Sequence, residues 1–257
     1  MKDRTPDGRP QVRVPGREAL RPPSVRRFYA GASHDEVAGG GFRVLLDGRP
    51  VRTPARRELV VPTEPLAAAL AAEWARQGET IDPEDMALTR LVNTIVDAVS
   101  VESEAVRGDI LAFAGSDLLC YRAEHPRELL ASQCASWDPV LAWAERTLGS
   151  RLRTVAGIMP IAQPDEALQP IAAVLARYQP FRLGAAHVIT TLTGSALLAL
   201  AVLEGALAPD AAWAAAHVDE DHQIALWGED AEAAQRRRMR RAEFDAAVTL
   251  AALAGSF

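Results

Sequence analysis

The chain has 257 residues, 49% of them hydrophobic and 24% charged, and a net charge of −6. That length buries a substantial core in one or two domains, and the composition is ordinary for a soluble globular protein. The acidic balance does not advertise nucleic-acid binding. The two cysteines, Cys120 and Cys134, stand outside CxxC spacing and read as buried thiols of a reducing compartment.

The first residues are rich in Pro, Gly and Arg, with Asp3, Asp7 and Glu18 among them. They lack the apolar segment of a secretory signal, and their acids argue against a transit peptide. A disordered tail is expected over residues 1–25. Strand texture follows. Gly39, Gly40 and Gly41 mark a turn, Phe42 opens a strand, and Asp47-Gly48 is a strong hairpin signal. Residues 51–53 are predicted to return, and 58–61 to form another short strand. Thr63 is a good helix cap, Pro65 suits a first turn, and Leu66, Leu70 and Trp74 lead to Gly78 as a stop. A second helix is predicted over 82–100, with Met86, Leu88, Leu91, Ile95 and Val99 along one side.

Beyond Ser100 strand texture nearly vanishes. Helical stretches are predicted at 101–115, 126–149, 164–178, 183–205, 209–227 and 229–254. Two apolar connectors, 118–122 and 152–158, are candidates for extended structure. The run over 183–203 is the most apolar, yet it holds His187, Thr190, Thr191, Thr193 and Ser195; it reads as a buried core helix rather than a membrane span. Strands first and helices after argue for an α+β fold. A small strand-rich domain is expected over 26–100 and an all-helical domain over 101–257.

Residues 213–241 hold Trp213 and Trp227, the acids Asp219, Glu220, Asp221, Glu229, Asp230 and Glu232, and the arginines Arg236, Arg237, Arg238, Arg240 and Arg241. Trp and Arg carry much of the energy at protein contacts. The competing reading is a helix with its charges in water and its Trp in the core. Part of the charge is expected to be absorbed within the helix, because Glu232 and Arg236 make a favourable i, i+4 pair. Helical spacing spreads the arginines around the axis, so no nucleic-acid face is expected.

The five histidines, His34, His125, His187, His217 and His222, include no HExxH. Asp219 and His222 have the spacing of half a di-iron site, but the other half is missing, so no metal is expected. There is no GxSxG elbow and no Walker loop, and the Gly39 to Gly41 triplet lacks a dinucleotide pattern. With no catalytic residues and no cofactor indicated, binding outranks catalysis. The alternatives are a small-molecule enzyme with its site between the two domains, and a scaffold protein.

Several segments, taken in order, resemble one family. They are Arg27-Phe28-Tyr29, the run from Leu46 through Asp47-Gly48-Arg49-Pro50 to Thr53-Pro54, Glu73-Trp74 with Gln77-Gly78, and Met86 with Leu88-Thr89-Arg90. Then come Asp117-Leu118-Leu119-Cys120-Tyr121-Arg122, Trp137-Asp138-Pro139, Gly194-Ser195, Asp219-Glu220-Asp221 with Gln223, and Trp227-Gly228-Glu229-Asp230. The ordered set resembles the ATP-twelve chaperones, which assist assembly of the F-type ATP synthase catalytic head. The resemblance implies a monomeric chaperone that holds the free alpha subunit until the beta subunit arrives, without catalysis, nucleic acid or membrane insertion. It further implies that the family's sensitive acid is Asp219 or Glu220, with Glu220 favoured, and that its sensitive N-terminal Trp is Trp74. Trp227 and Asp221 complete the expected partner-binding set. The acid-containing tail favours a bacterial cytoplasm over the mitochondrial matrix that a eukaryotic member would occupy.

Overall fold

The computed structural model describes residues 25–255. The expected tail over 1–25 lies outside them, apart from Val25, which pairs with Ile81. Ten α-helices and eight short strands are assigned among the described residues.

Strands β1 (Val25–Arg26), β2 (Ala32–Glu36), β3 (Phe42–Leu46), β4 (Arg49–Pro50) and β5 (Val60–Val61) precede the first helix. β3 is the centre of an antiparallel sheet, with β2 on one side and β4 and β5 on the other. The hairpin forms at Asp47-Gly48, where both residues take positive φ, 48° and 77°. That left-handed pair is what a two-residue loop between twisted strands requires. The return begins at Arg49, two residues earlier than expected, because so short a loop sets Arg49 opposite Leu46. Side chains alternate along β3: Val44 and Leu46 are buried, while Arg43 pairs with Asp35 at 2.7 Å and Glu58 at 3.0 Å.

Helix α1 (Glu64–Ala75) starts at Thr63, whose Oγ1 accepts from the Leu66 N–H, and packs on β2 and β3. Strand β6 (Thr80–Ile81) follows. The helix expected over 82–100 is a 3-10 turn at Pro83–Asp85, then α2 (Ala87–Thr94), then a π turn at Ile95–Val99. Asp82 caps the first turn by accepting from the Glu84 N–H at 2.9 Å, so the α-helix proper starts later than expected.

The rest is helical apart from β7 (Tyr121–Arg122) and β8 (Val155–Ala156), a two-residue parallel pair on the two connectors. Its helices are α3 (Ser103–Gly115), α4 (Arg127–Trp143) with a π turn at Ala144–Leu148, α5 (Asp165–Ala176), α6 (Pro180–Thr193), α7 (Ala196–Leu203), α8 (Pro209–Ala216), α9 (Val218–Trp227) and α10 (Ala231–Leu253). Two expected helices are split. The one over 183–205 breaks at Gly194, φ 70°, and restarts at Ser195, whose Oγ accepts from the Leu198 N–H. The one over 209–227 breaks at His217, whose ring bonds back to the Trp213 carbonyl.

Helix α7 is buried in the core, so its free N–H groups need partners. Asp117, with no exposure, accepts from Leu119 at 3.0 Å and Leu197 at 3.1 Å. Burial pushes the Asp117 carboxyl up to about 6, against the pull of the donors around it. One hydrophobic cluster runs from Tyr29 to Ala254. Helix α10 closes it by packing on α6, α2 and α1. Thr63 Oγ1 also donates to the Leu253 carbonyl at 2.5 Å, across 190 residues of sequence. No helix among the described residues is long and apolar enough to cross a membrane.

Candidate functional site

The acid-rich segment becomes a helical hairpin. Helix α9 has no buried residue. Gly228, φ 86°, reverses the chain, and Asp230 starts α10 by accepting from the Ala233 N–H at 2.8 Å. The hairpin is tethered from below. α9 packs on α4, where Trp137 is buried and donates its indole N–H to the Ala215 carbonyl at 2.7 Å. Arg122 lies over the Trp137 ring at 5.0 Å and pairs with Asp138 at 2.7 Å.

The three acids of α9 have different surroundings. Asp219 accepts from Nε2 of buried Gln133 at 2.7 Å, while Gln133 Oε1 accepts from the Ala123 N–H at 2.8 Å. Asp221 pairs with Arg237 at 2.5 Å, tying α9 to α10; this bond holds the Arg237 guanidinium above its usual range. Glu220 has no Arg or Lys partner among the described residues. The one titratable base within 4.0 Å of it among the described residues is the His217 ring, 3.9 Å from Nε2 to Oε2.

His217 is buried, and burial lowers its pKa from the usual 6.5. A carbonyl can only accept, so the 2.7 Å contact with Trp213 assigns the proton to Nδ1. In the neutral ring Nε2 then presents a lone pair toward Glu220. The 3.9 Å contact is therefore no ion pair while the ring is neutral, and Glu220 feels Arg237 only through its field, without a direct bond.

The two tryptophans of the segment part ways. Trp213 is buried, stacked on His217 at 4.1 Å and edge-on to Phe244 at 5.3 Å. Trp227 is 82% exposed and Leu226 beside it 58%. The expected Glu232–Arg236 pair forms at 2.8 Å. Arg240 donates to the Leu192 carbonyl, and Arg241 binds Asp210 and Asp245. Much of the arginine charge is thus bound within the chain.

Between α9 and α10 lies a groove of about 180 Å³, lined by Glu220, Ile224, Trp227, Glu229, Ala233 and Ala234 among others. Trp74 does not join it. It lies on α1, half-buried, with its ring edge-on to Tyr29 at 5.7 Å and its carbonyl accepting from the Tyr29 hydroxyl at 2.8 Å. A separate hollow of about 400 Å³ is lined by Trp74, exposed Phe28, Asp47, Arg49 and their neighbours. Of the expected set, Asp219, Glu220, Asp221 and Trp227 therefore share one hairpin and Trp74 stands elsewhere.

Many of the motif residues act as staples. Buried Glu73 accepts from Leu88 and Thr89 at 3.0 and 2.7 Å, capping α2 from α1. Asp47 accepts from Ala30 and Gly31, which holds its carboxyl below the usual range. Arg27 donates to the Gln77 carbonyl at 2.6 Å, and Gln77 accepts from Asp82 at 2.7 Å. Thr53 donates to Asp97 at 2.6 Å. Leu226 and Gln133 were not among the residues expected from sequence, and Arg237 was named only as one of the arginine run. An apolar residue beside Trp227, just before a helix-ending Gly, was a readable signal for Leu226. Gln133 lies 86 residues from Asp219, and nothing local marked it.

The model of the ATP12 chaperone protein family matches residues 26–145. A crystal structure of a protein from Agrobacterium tumefaciens, described as a candidate chaperone, is 46% identical over 91% of this chain and 88% of its own, with a TM-score of 0.87. Atp12 from Paracoccus denitrificans is 38% identical over 90% of this chain and 99% of its own, at 0.84. An aspartate-to-lysine mutant of that Paracoccus protein matches equally well, at 38% identity and 0.84 over 90% of this chain and 98% of its own. At these identities, sustained over nearly the whole length of both partners, this chain belongs to the ATP12 chaperone family.

Proposed function

We propose that this chaperone serves F-type ATP synthase assembly by binding the free alpha subunit of the catalytic head. It shields the surface that alpha later gives to beta, and beta displaces it. The observation that carries this reading is the α9–α10 hairpin. Leu226 and Trp227 are exposed at its end, on a helix with no fully buried residue, beside a Glu220 carboxylate without an Arg or Lys within ion-pair distance. The exposed end of the hairpin suits a reversible contact. Apolar anchors supply the attraction, and charge supplies orientation and rate of encounter.

In this reading Glu220 and Trp227 touch the client. Asp219 and Asp221 hold α9 in place against α4 and α10. Trp74 supports the surface of a strand-rich domain over 26–100, and the hairpin belongs to a helical domain over 101–257. The protein acts as a monomer in a bacterial cytoplasm and turns over no substrate.

The test mixes purified alpha subunit with this protein and follows alpha aggregation by light scattering. Suppression should grow with chaperone concentration above the dissociation constant, because binding removes the free subunit by mass action. Added beta should then release the chaperone as alpha and beta pair. A stable complex retaining all three proteins would refute competition, and unsuppressed scattering would refute alpha binding.

A further inference from the structure

We infer that the groove between α9 and α10 takes one large apolar side chain from a partner segment that carries a lysine or arginine next to it. The inference rests on the hairpin being the client-facing surface, and it specifies what the client must present there.

The floor of the groove is apolar, made by Ile224, Trp227, Ala233 and Ala234. Two consecutive alanines at the start of α10 leave a hollow where longer side chains would fill the space. Its volume, about 180 Å³, sets the size of the guest. An apolar cavity of about 150 Å³ is known to take a benzene molecule. There is accordingly room for one Leu or Phe side chain and not for two.

The rim sets the charge of the guest. Glu220 and Glu229 both line the groove, and among the described residues neither has an Arg or Lys within ion-pair distance. Arg237 is the cation in the wall; it is bound to Asp221 at 2.5 Å and its field also reaches Glu220 and Glu229, so three acids share one cation. A neighbouring cation on the guest would supply what the rim lacks, with less desolvation cost than a buried pair because the rim is open to water. A second copy of this hairpin is a poor guest. Its own exposed Leu226 and Trp227 are followed by Glu229 and Asp230, which would set acid against acid.

The test uses the full chain, labelled with nitrogen-15. The probe is a short capped Gly/Ser peptide with one central Leu between two Arg. The readout is the indole N–H resonance of Trp227, identified among the five Trp by its loss in Trp227→Phe. A saturable shift is expected, with a dissociation constant of about 1 mM for so small a contact. Replacing the peptide Leu by Ala should weaken binding about tenfold. Replacing its Arg by Glu should weaken it at least as much. Ala233→Leu, which fills the groove, should abolish the shift with the circular dichroism unchanged. Glu229→Lys, at an exposed rim position, should reduce affinity in the same direction and serves if Ala233→Leu does not fold.

A shift indifferent to the peptide Leu or to its charge would overturn the inference. So would binding that appears only after removal of residues 1–24, which would make that segment the occupant, or concentration-dependent dimerisation through the hairpin. Alpha-subunit capture keeps the two readings apart. Full capture by folded Ala233→Leu sinks the groove and leaves the chaperone role standing. Peptide binding without alpha capture sinks the chaperone role and leaves the groove.

Discussion

Single substitutions at Asp219, Glu220 and Asp221 should separate folding from client binding, because the three acids hold different partners. Asp219→Ala removes the acceptor for Gln133 Nε2, which lies at a buried residue. An orphaned buried donor costs about 1–3 kcal/mol. Asp219 is itself exposed and water reaches the site, so the lower end, about 1 kcal/mol, is expected. Asp221→Ala removes a pair whose side chains are 49% and 21% exposed, which is worth about 0.5 kcal/mol after screening. Glu220→Ala removes no hydrogen bond or Arg partner, so its cost to folding should stay within about 0.5 kcal/mol. The stability order is then Glu220→Ala least affected and Asp219→Ala most. The order for alpha-subunit capture is expected to be reversed, with Glu220→Ala losing about tenfold or more in affinity. Urea unfolding followed by circular dichroism gives the first series, and titration calorimetry with alpha subunit gives the second. Capture that simply tracks stability across the three variants, with Glu220→Ala binding normally, would refute the assignment of Glu220 to the contact.

The tryptophans give a second contrast. Trp227→Ala should leave stability within about 0.5 kcal/mol and weaken capture by about 2 kcal/mol, whereas Trp213→Ala should cost about 3–5 kcal/mol of folding, read by the same unfolding curves. Gly184→Ala should destabilise by about 1–3 kcal/mol, because its Cβ would stand 2.5 Å from Cγ1 of Ile95, inside the packed contact of α6 with the π turn. A variant as stable as the parent would mean that the turn shifts freely. His217 gives a pH dependence. Its folded pKa lies below the ordinary 6.5, so the unfolded chain takes up the proton first, and stability held above pH 6.5 is lost as pH falls through that value toward the folded pKa. Asp117 has the opposite sign, being raised in the fold, so the effect of His217 should be read as the pH dependence of the stability difference between parent and His217→Gln, which would be flat if the ring were unshifted.

The fold was legible where the signal was local. Asp47-Gly48 marked the hairpin, Thr63 and Pro65 marked the start of α1, and the loss of alternation after Ser100 marked the passage to helices. The break at Gly194-Ser195 was also local, a left-handed Gly followed by a capping Ser. The unbroken hydropathy of the run around it hid that signal. The candidate site was legible only in part. The acids and Trp227 lie within one hairpin, so their proximity followed from chain order. Which Trp is buried depended on α8 and α10 meeting at Phe244, a tertiary fact. The same holds for the unequal partners of the three acids, since Gln133 arrives from α4 and Arg237 from the far side of a turn. Motifs such as Glu73-Trp74 were readable as a resemblance, but their role as ties between helices was not, because each partner sits on a different element.

The bond from Thr63 to the Leu253 carbonyl joins the entrance of α1 to the exit of α10, and the Arg90–Glu243 pair adds a second tie, from α2 to α10, across 153 residues. Loops that long close late and slowly, since their entropy must be lost before the contact is gained. In the folded protein the same arrangement couples two distant amide sets. A fluctuation that lifts the whole of α10 would break both ties and open the wall of the α9–α10 groove in one event. Native-state hydrogen exchange should find those amides opening together, with one shared free energy, and a client that grips the hairpin should slow exchange at the start of α1 without touching it.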